Sequence, residues 1–342
     1  MRRTTWTRLL HYEFWPFWFF YIPAYFYYFI LAIKSRRWIY FSVLNRCMNF
    51  GGAFLSSKSA YLQQLPQQWI PKTVLVNPDE GLSNLERKIE NDGITYPLIV
   101  KPDMGERGKG VEIIHQPSEL NTYLLHHPQQ SLLIQEYIDY PIELGILFYW
   151  DLHGKPQISS IGEKSFCSVI GNGKDSLKTI IKKNPRLVSR VPFLKEKFKT
   201  EWEKVLPKGK TLLIEPIGNH NRGTTFLDGR KYYSKELLQW IANCATHIPH
   251  FDYGRFDLKI QHWDAFKMNK GIKIMEINGV NSEPIHIYDP NYSLWKAYRD
   301  IFHQMRVIFE LSQKKINEKE QTQSLLEFIR GSQLVLNRKP YS

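Results

Sequence analysis

Alternation of apolar and polar residues marks a series of short strands. Tyr96–Lys101 (YPLIVK) is one, and Val111–Ile114 (VEII) is its expected partner across a glycine-rich turn. Leu132–Ile138 and Glu143–Trp150 follow, broken at Tyr140-Pro141, and Thr211–Ile217 is a further apolar strand. Arg255–Ile260 and Ile272–Asn278 alternate and are joined by a polar loop. Helical stretches stand between them: Pro117–His127 with Ser118 as a cap, Asp175–Lys183 after a Gly-Asn-Gly turn, Ser234–His247, and most of 293–330. Repeats, heptads and low-complexity tracts are absent. Strands and helices in turn predict an α/β or α+β fold.

The N-terminus breaks this pattern. Residues 14–33 read FWPFWFFYIPAYFYYFILAI, twenty residues without a formal charge, twelve of them aromatic. That length suits a hydrocarbon core of about 30 Å. Trp and Tyr, however, prefer the headgroup level. Pro16 and Pro23 would also interrupt helix hydrogen bonds that lipid cannot replace. The expectation is a monotopic or re-entrant anchor at the cytoplasmic face of a membrane. A single spanning helix and a buried core or protein-contact segment are the other two readings. Nothing resembles a signal-peptide cleavage site.

Composition narrows the class. In 342 residues, 43% are hydrophobic and 23% charged, which excludes a disordered chain and a polytopic membrane protein. Formal net charge is +13. Residues 1–60 hold eight basic side chains against the single acid Glu13, which suits an anionic membrane surface. Residues 182–210 hold ten basic groups against three acids and read as a solvated helical insertion. No nucleic-acid recognition motif accompanies this charge, so no nucleic-acid partner is expected. The three cysteines stand far apart, which rules out a disulfide framework and suits a reducing compartment.

Four segments carry candidate chemistry. In Ile99–Ile114 a strand ends on Lys101, and a loop with Gly105, Gly108 and Gly110 leads into the next strand. Glycines let backbone N–H groups approach phosphate oxygens, and the lysine adds charge; the bland reading is a β-hairpin. It is neither a Walker A loop nor a Rossmann fingerprint. In RFDLKI and IKIMEINGVN, alternation puts Glu276 and Asn278 on one strand face, and Asp257 joins them if the strands pair. Two carboxylates and an amide oxygen are hard ligands suited to Mg²⁺; the bland reading is a polar hairpin face. The bend in LLIQEYIDYPIEL leaves backbone groups that can read a planar base, with Glu143 placed for ribose hydroxyls. GEKSFCSVIGNGKD, read alone, indicates only a turn.

In this order the motifs resemble the ATP-grasp superfamily over about residues 55–290. GRFDLKI followed by IMEINGVNSEP is similar to the G-R-x-D strand and E-x-N motif of the D-alanine–D-alanine ligase type. SVIGNGKDSLKTIIKKNPR and RGKGV look like the ATP-grasp module of cyanophycin synthetase. The resemblance implies an α+β ATP-grasp fold of two lobes clasping ATP, with Mg²⁺ or Mn²⁺. It implies that Lys58 and Lys101 meet phosphates and that Met104–Gly110 is a lid. Gln135, Glu136 and Ile138 would line the adenine hinge, and Glu143 would hold ribose. Asp257, Glu276 and Asn278 would hold metal, and Arg255 would stabilise charge at the reacting centre. Lys164 and Arg222 are further phosphate or substrate contacts in the same implied set.

The expected organisation is an aromatic membrane-associated segment over 1–48, linker and small lobe over 49–145, large lobe over 146–292, and a helical tail over 293–342. Such ligases usually place an α/β substrate domain before the lobes, and no βαβ unit is visible in the residues before Lys58. The WPFW start, GGAFLSSK and YSLWKAYRD instead resemble an anchored subgroup of D-Ala-ligase-like sequences. The implied activity is ATP-dependent carboxylate–amine ligation through an acyl phosphate, on small-molecule or lipid-linked carboxylate and amine substrates. A phosphotransferase and a non-catalytic membrane scaffold are the alternatives. The anchor, far upstream of every nucleotide motif, is expected to lie away from the nucleotide site.

Overall fold

The strands form two main antiparallel sheets and one small one. The computed structural model describes residues 11–54, 57–78, 82–105 and 110–337. The first sheet contains β1 (Thr73–Val76), β2 (Leu98–Pro102), β3 (Glu112–Ile114) and β4 (Leu132–Glu136), in the order β1-β4-β2-β3. Leu98 opposes Ile114, so the strand pair expected across the glycine-rich turn forms. Leu98, Val100 and Ile134 point to one face, where the helices Leu82–Asn91 and Pro117–His126 bury them with Leu85, Ile89 and Leu120. The period of two sends Ile99, Lys101 and Gln135 to the opposite face, which lines the cleft.

The second sheet contains β5 (Ile142–Trp150), β6 (Pro156–Ser165), β9 (Thr225–Asp228), β10 (Tyr253–Ile260) and β11 (Ile272–Asn278), in the order β11-β10-β5-β6-β9. Phe256, Leu258 and Ile260 face a core closed by the helix Lys235–Thr246 through Leu237, Trp240 and Ile241. Ser234 caps that helix, its hydroxyl accepting from the Leu237 N–H at 3.1 Å. Arg255, Asp257 and Lys259 take the other face, towards the cleft. Tyr61, Leu62, Leu65 and Trp69 also pack into this core, so the stretch before β1 is attached to the large sheet.

The basic stretch 182–210 belongs to a small folded flap. β7 (Cys167–Ile170) and β8 (Thr211–Glu215) pair, and the helices Leu177–Lys183 and Val191–Lys197 cover them. Leu187, Leu194, Trp202 and Leu206 supply the flap's own apolar core. Its residues Pro185, Arg186 and Ser189 reach the cleft.

The two prolines of the aromatic segment start helices and interrupt none. Pro16 is the N-cap of the turn Phe17–Phe20, and Pro23 lies in the first turn of Ile22–Ser35, where an N–H has no intrahelical partner to lose. Phe20 and Ala24 pack on Ile287, Ala297 and Ile301, and Leu31 and Ala32 pack near Ile308 and Phe309. The partner element is the long helix Leu294–Asn317. A second stripe, Ile22, Tyr25, Phe26, Phe29, Ile30 and Ile33, is exposed. Among the described residues no helix is long and apolar enough to cross a membrane. The expected helical tail is two helices, Leu294–Asn317 and Leu325–Asn337.

Candidate active site

The polar faces of the two sheets enclose one continuous cavity of about 720 Å³, a size that suits a substrate-sized ligand. At its centre β10 and β11 pair, with Asp257 directly opposite Glu276 and Arg255 opposite Asn278. The three expected metal ligands therefore do share one face. The register shifts after Asp257, so Leu258 opposes Ile274 and Met275 is the extra residue. That bulge frees the Met275 carbonyl, which accepts a hydrogen bond from Lys101 Nζ at 3.2 Å.

Four cations surround this carboxylate pair. Lys58 Nζ lies 2.5 Å from Glu276 Oε1, and Lys164 Nζ lies 2.7 Å from Glu143 Oε1 and 3.3 Å from Asp257 Oδ2. Arg255 grips Asp257 with Nε at 2.6 Å and a second guanidinium N–H at 3.1 Å, a bidentate pair. Lys101, almost wholly buried, donates to Gln135 Oε1 at 2.9 Å. Burial, reinforced by the neighbouring Lys58 charge, pulls the Lys101 ammonium down to about 8. Burial works against the ionised form of Asp257, but Arg255 and Lys164 outweigh it and hold the carboxyl below the usual range. Glu276 is likewise held low, burial being overcome by Lys58. Lys164 is kept protonated by Asp257 and Glu143 against the cost of burial.

The oxygen donors fit a hard divalent cation. Among the described residues no three His, Cys, Asp or Glu side chains cluster as a self-sufficient metal nest. Mg²⁺ needs only one or two carboxylates, because it keeps water and substrate phosphate oxygens. Asp257 and Glu276 would supply these, and the amide of Asn278 lines the same cavity, its buried Nδ2 without a partner among the described residues.

Of the expected hinge residues, Gln135 and Ile138 line the cavity. The Glu136 carboxylate turns away and accepts from the Lys72 N–H at 3.2 Å. Strand alternation explains this, since Glu136 follows Gln135 on β4 and points to the other face. Glu143 lines the cavity, and its carboxylate comes so close to Gly218 that a Cβ there would lie 2.6 Å from it. Gly105 lines the cavity. Gly110 has φ +67° and its carbonyl accepts from Tyr123 Oη at 2.6 Å. Gly108, with the rest of 106–109 in the expected lid, lies outside the described residues. Arg222 donates to the Val111 carbonyl at 2.9 Å and stands 3.8 Å from Glu215, so it ties β3 to the flap.

Two contributions escaped the sequence reading. Lys259 lines the cavity, donates to the Ile138 carbonyl at 2.8 Å and lies beside the Tyr137 and Phe166 rings. The signal was there, because Arg255, Asp257 and Lys259 alternate along one strand face. The second is the aromatic N-terminus. Tyr12, Trp15, Phe17 and Phe20 line the far end of the same cavity, and Glu13 forms an ion pair with Arg186 of the flap. The segment expected to stand apart from the site is one of its walls.

A model of the tubulin-tyrosine ligase family matches residues 50–145. Among curated proteins, the mitochondrial methylcrotonoyl-CoA carboxylase subunit alpha of Glycine max is 32% identical over 75 residues, 20% of this chain and 10% of that protein. The carbamoyl phosphate synthase large chain of a Synechocystis species is 29% identical over 82 residues, 23% of this chain and 8% of that protein. The match thus spans about a tenth of the curated relatives. Among solved structures, D-alanine–D-alanine ligase from Bacillus anthracis aligns with a TM-score of 0.47 at 15% identity, covering 77% of this chain and 69% of that one. A bifunctional glutathione synthetase from Pasteurella multocida aligns with a TM-score of 0.40 at 12% identity, covering 72% and 36%. A four-stranded sheet bearing Lys101 and a five-stranded sheet bearing the Asp257–Glu276 pair line the same cavity, and over residues 50–145 the chain is similar to the tubulin-tyrosine ligase family.

Proposed function

We propose that the protein is an ATP- and Mg²⁺-dependent carboxylate–amine ligase working at a membrane surface. The observation that carries the reading is the single cavity in which Lys58, Lys101 and Lys164 surround the Asp257–Glu276 pair with Arg255 beside it. Lysines in a desolvated cleft neutralise phosphate charge, and a carboxylate pair with Asn278 holds Mg²⁺, which would screen the phosphates and the leaving ADP.

That placement supports the following chemistry. A substrate carboxylate oxygen attacks the γ-phosphorus of ATP, the bond to the β-phosphate bridging oxygen breaks, and ADP leaves with the electron pair. The acyl phosphate then meets an amine. Nitrogen bonds the acyl carbon, inorganic phosphate departs with the C–O electrons, and the amine proton is released. Lys101 and Lys58 position the phosphates. The Arg255 guanidinium, fixed by its two bonds to Asp257, faces the oxyanion that grows during amine attack.

Support for the membrane comes from the exposed stripe Ile22–Ile33 and Trp38, next to the exposed cations Lys34, Arg36 and Arg37. An apolar, aromatic face with a basic rim suits an interfacial helix on anionic headgroups at the cytoplasmic face.

The test is product analysis. Full-length protein with Mg–ATP, a panel of carboxylates and hydroxylamine should release phosphate and form a hydroxamate, because hydroxylamine traps acyl phosphates. Arg255→Ala should bind ATP nearly normally and form hydroxamate about 10²–10³ more slowly. A stable phosphorylated product with no hydroxamate would replace the ligase by a phosphotransferase.

A further inference from the structure

The cavity has two chemically distinct ends. The nucleotide end is cationic, with Lys58, Lys101, Lys164 and Lys259. The far end is aromatic, walled by Tyr12, Trp15, Phe17, Phe20 and Tyr288. Its polar groups include the Glu283 carboxylate and the His220 imidazole. Glu283 presents a carboxylate that accepts from Tyr288 Oη at 2.9 Å. His220 lines the same end, and its Nε2 is shielded from solvent with no partner among the described residues. Burial, with the Arg186 charge nearby, pushes the imidazole down to about 4, so it is neutral near pH 7. The cation at this end is already matched: Arg186 pairs with Glu13 and lies over the Phe14 ring.

Arg255 joins the two ends. Its Nε and one terminal N–H hold Asp257, while the other donates to the Glu283 carbonyl at 3.2 Å. The backbone of Glu283 is thus in direct contact with the arginine that holds Asp257. In the other direction the wall leads outward. Phe17 lines the cavity and is also 40% exposed, and it is followed by Trp18 at 64% and Phe19 at 46%. The two residues that follow Phe17 in the chain are therefore exposed aromatics.

Resting on the ligase reading, we propose that this end is the amine subsite, and that it takes a primary amine carried on a long apolar group. The amine donates to the Glu283 carboxylate and to His220 Nε2, and the apolar group passes Trp15 and Phe17 towards the exposed stripe. A carboxylate substrate would meet repulsion from Glu283, and an alcohol has one proton for two acceptors. Only an apolar extension gains from an aromatic exit path.

The test uses full-length protein saturated with Mg²⁺ and a non-hydrolysable ATP analogue, titrated by calorimetry with butylamine, decylamine and decanol below their aggregation concentrations. Each buried methylene is worth about fourfold in affinity, so decylamine should bind at least about tenfold more tightly than butylamine and than decanol. Phe17→Ser, at a half-exposed position, should reduce the gain from chain length several-fold. Glu283→Gln should weaken both amines and leave decanol unchanged. His220→Phe should weaken amines with the chain-length gain preserved, which keeps the head-group contact testable if Glu283→Gln folds poorly. A second arm presents stearylamine in phosphatidylcholine vesicles: capture over plain vesicles assigns a leaflet source, and binding of decylamine alone assigns a free amphiphile. Equal affinity for butylamine and decylamine, or for decanol and decylamine, overturns the proposal, as does a full response in the Phe17 variant. Failure to bind the Mg²⁺–nucleotide complex at the outset would instead overturn the ligase reading.

Discussion

Lys101 makes the nucleotide site sensitive to pH, and the sign can be worked out from its surroundings. Burial of Nζ, reinforced by the like charge of Lys58, brings its ammonium to about 8, and only the two neutral acceptors Gln135 Oε1 and Met275 O are hydrogen-bonded to it. Phosphate oxygens at 3 Å would restore the ordinary value of about 10.4. Binding then requires a proton that the free protein loses as pH rises through 8. Between pH 7 and pH 9 the dissociation constant for Mg–ADP should rise about tenfold, because linkage charges the full protonation cost once the solution pH exceeds the free-state value. Stability should move the other way. In that window the unfolded chain binds more protons at this site than the native one, so the Lys101 contribution to unfolding free energy increases with pH. The assay is calorimetric titration at pH 7, 8 and 9 for the wild type and Lys101→Arg, whose guanidinium stays charged throughout. A flat wild-type profile, or an equal slope in the arginine variant, would refute the assignment of Lys101 to the phosphates.

Asp257→Asn should abolish Mg–ATP turnover and also lower the unfolding free energy by about 3–5 kcal/mol, since it leaves Arg255 and Lys164 with less buried counter-charge; Glu276→Gln should abolish turnover with a smaller stability loss, because its carboxylate is more exposed. Both effects are read by phosphate release and urea unfolding, and unchanged turnover in either variant removes that residue from the site. Gly52→Ala should lower thermal stability, because a Cβ at φ +87° would stand 2.7 Å from the Gly279 backbone, and an unshifted melting temperature would contradict the close approach. Trp18→Ser with Phe26→Ser, both on the exposed face, should reduce sedimentation with anionic vesicles about tenfold or more with little change in melting temperature; undiminished sedimentation counts against the membrane reading.

Local pattern determined much of this protein. Alternation in GRFDLKI and IKIMEIN placed Asp257, Glu276 and Asn278 on one face, and the pairing of β10 with β11 put them side by side. The glycines after Lys101 announced a return strand, and Leu98 does oppose Ile114. Period-two geometry is a property of the chain itself, so such relations can be read without a fold. β1 and β6 escaped notice because one is only four residues long and the other, PQISSIGEKS, mixes serine and glycine with its apolar positions. Their strand character comes from the neighbours that pair with them. The resemblance implies site roles for Glu136 and Arg222; the pleat turns the Glu136 side chain to Lys72, and Arg222 donates to the Val111 carbonyl, relations that only the paired strands and tertiary packing set. The aromatic N-terminus is the clearest case. Its composition announced an apolar surface, but only the packing of Phe20 and Ala24 on the helix Leu294–Asn317, with the Glu13–Arg186 ion pair, folds it back across nearly the whole chain length to wall the cavity. Contacts between residues far apart in the chain are set by which faces bury each other, and that information does not reside in any single segment.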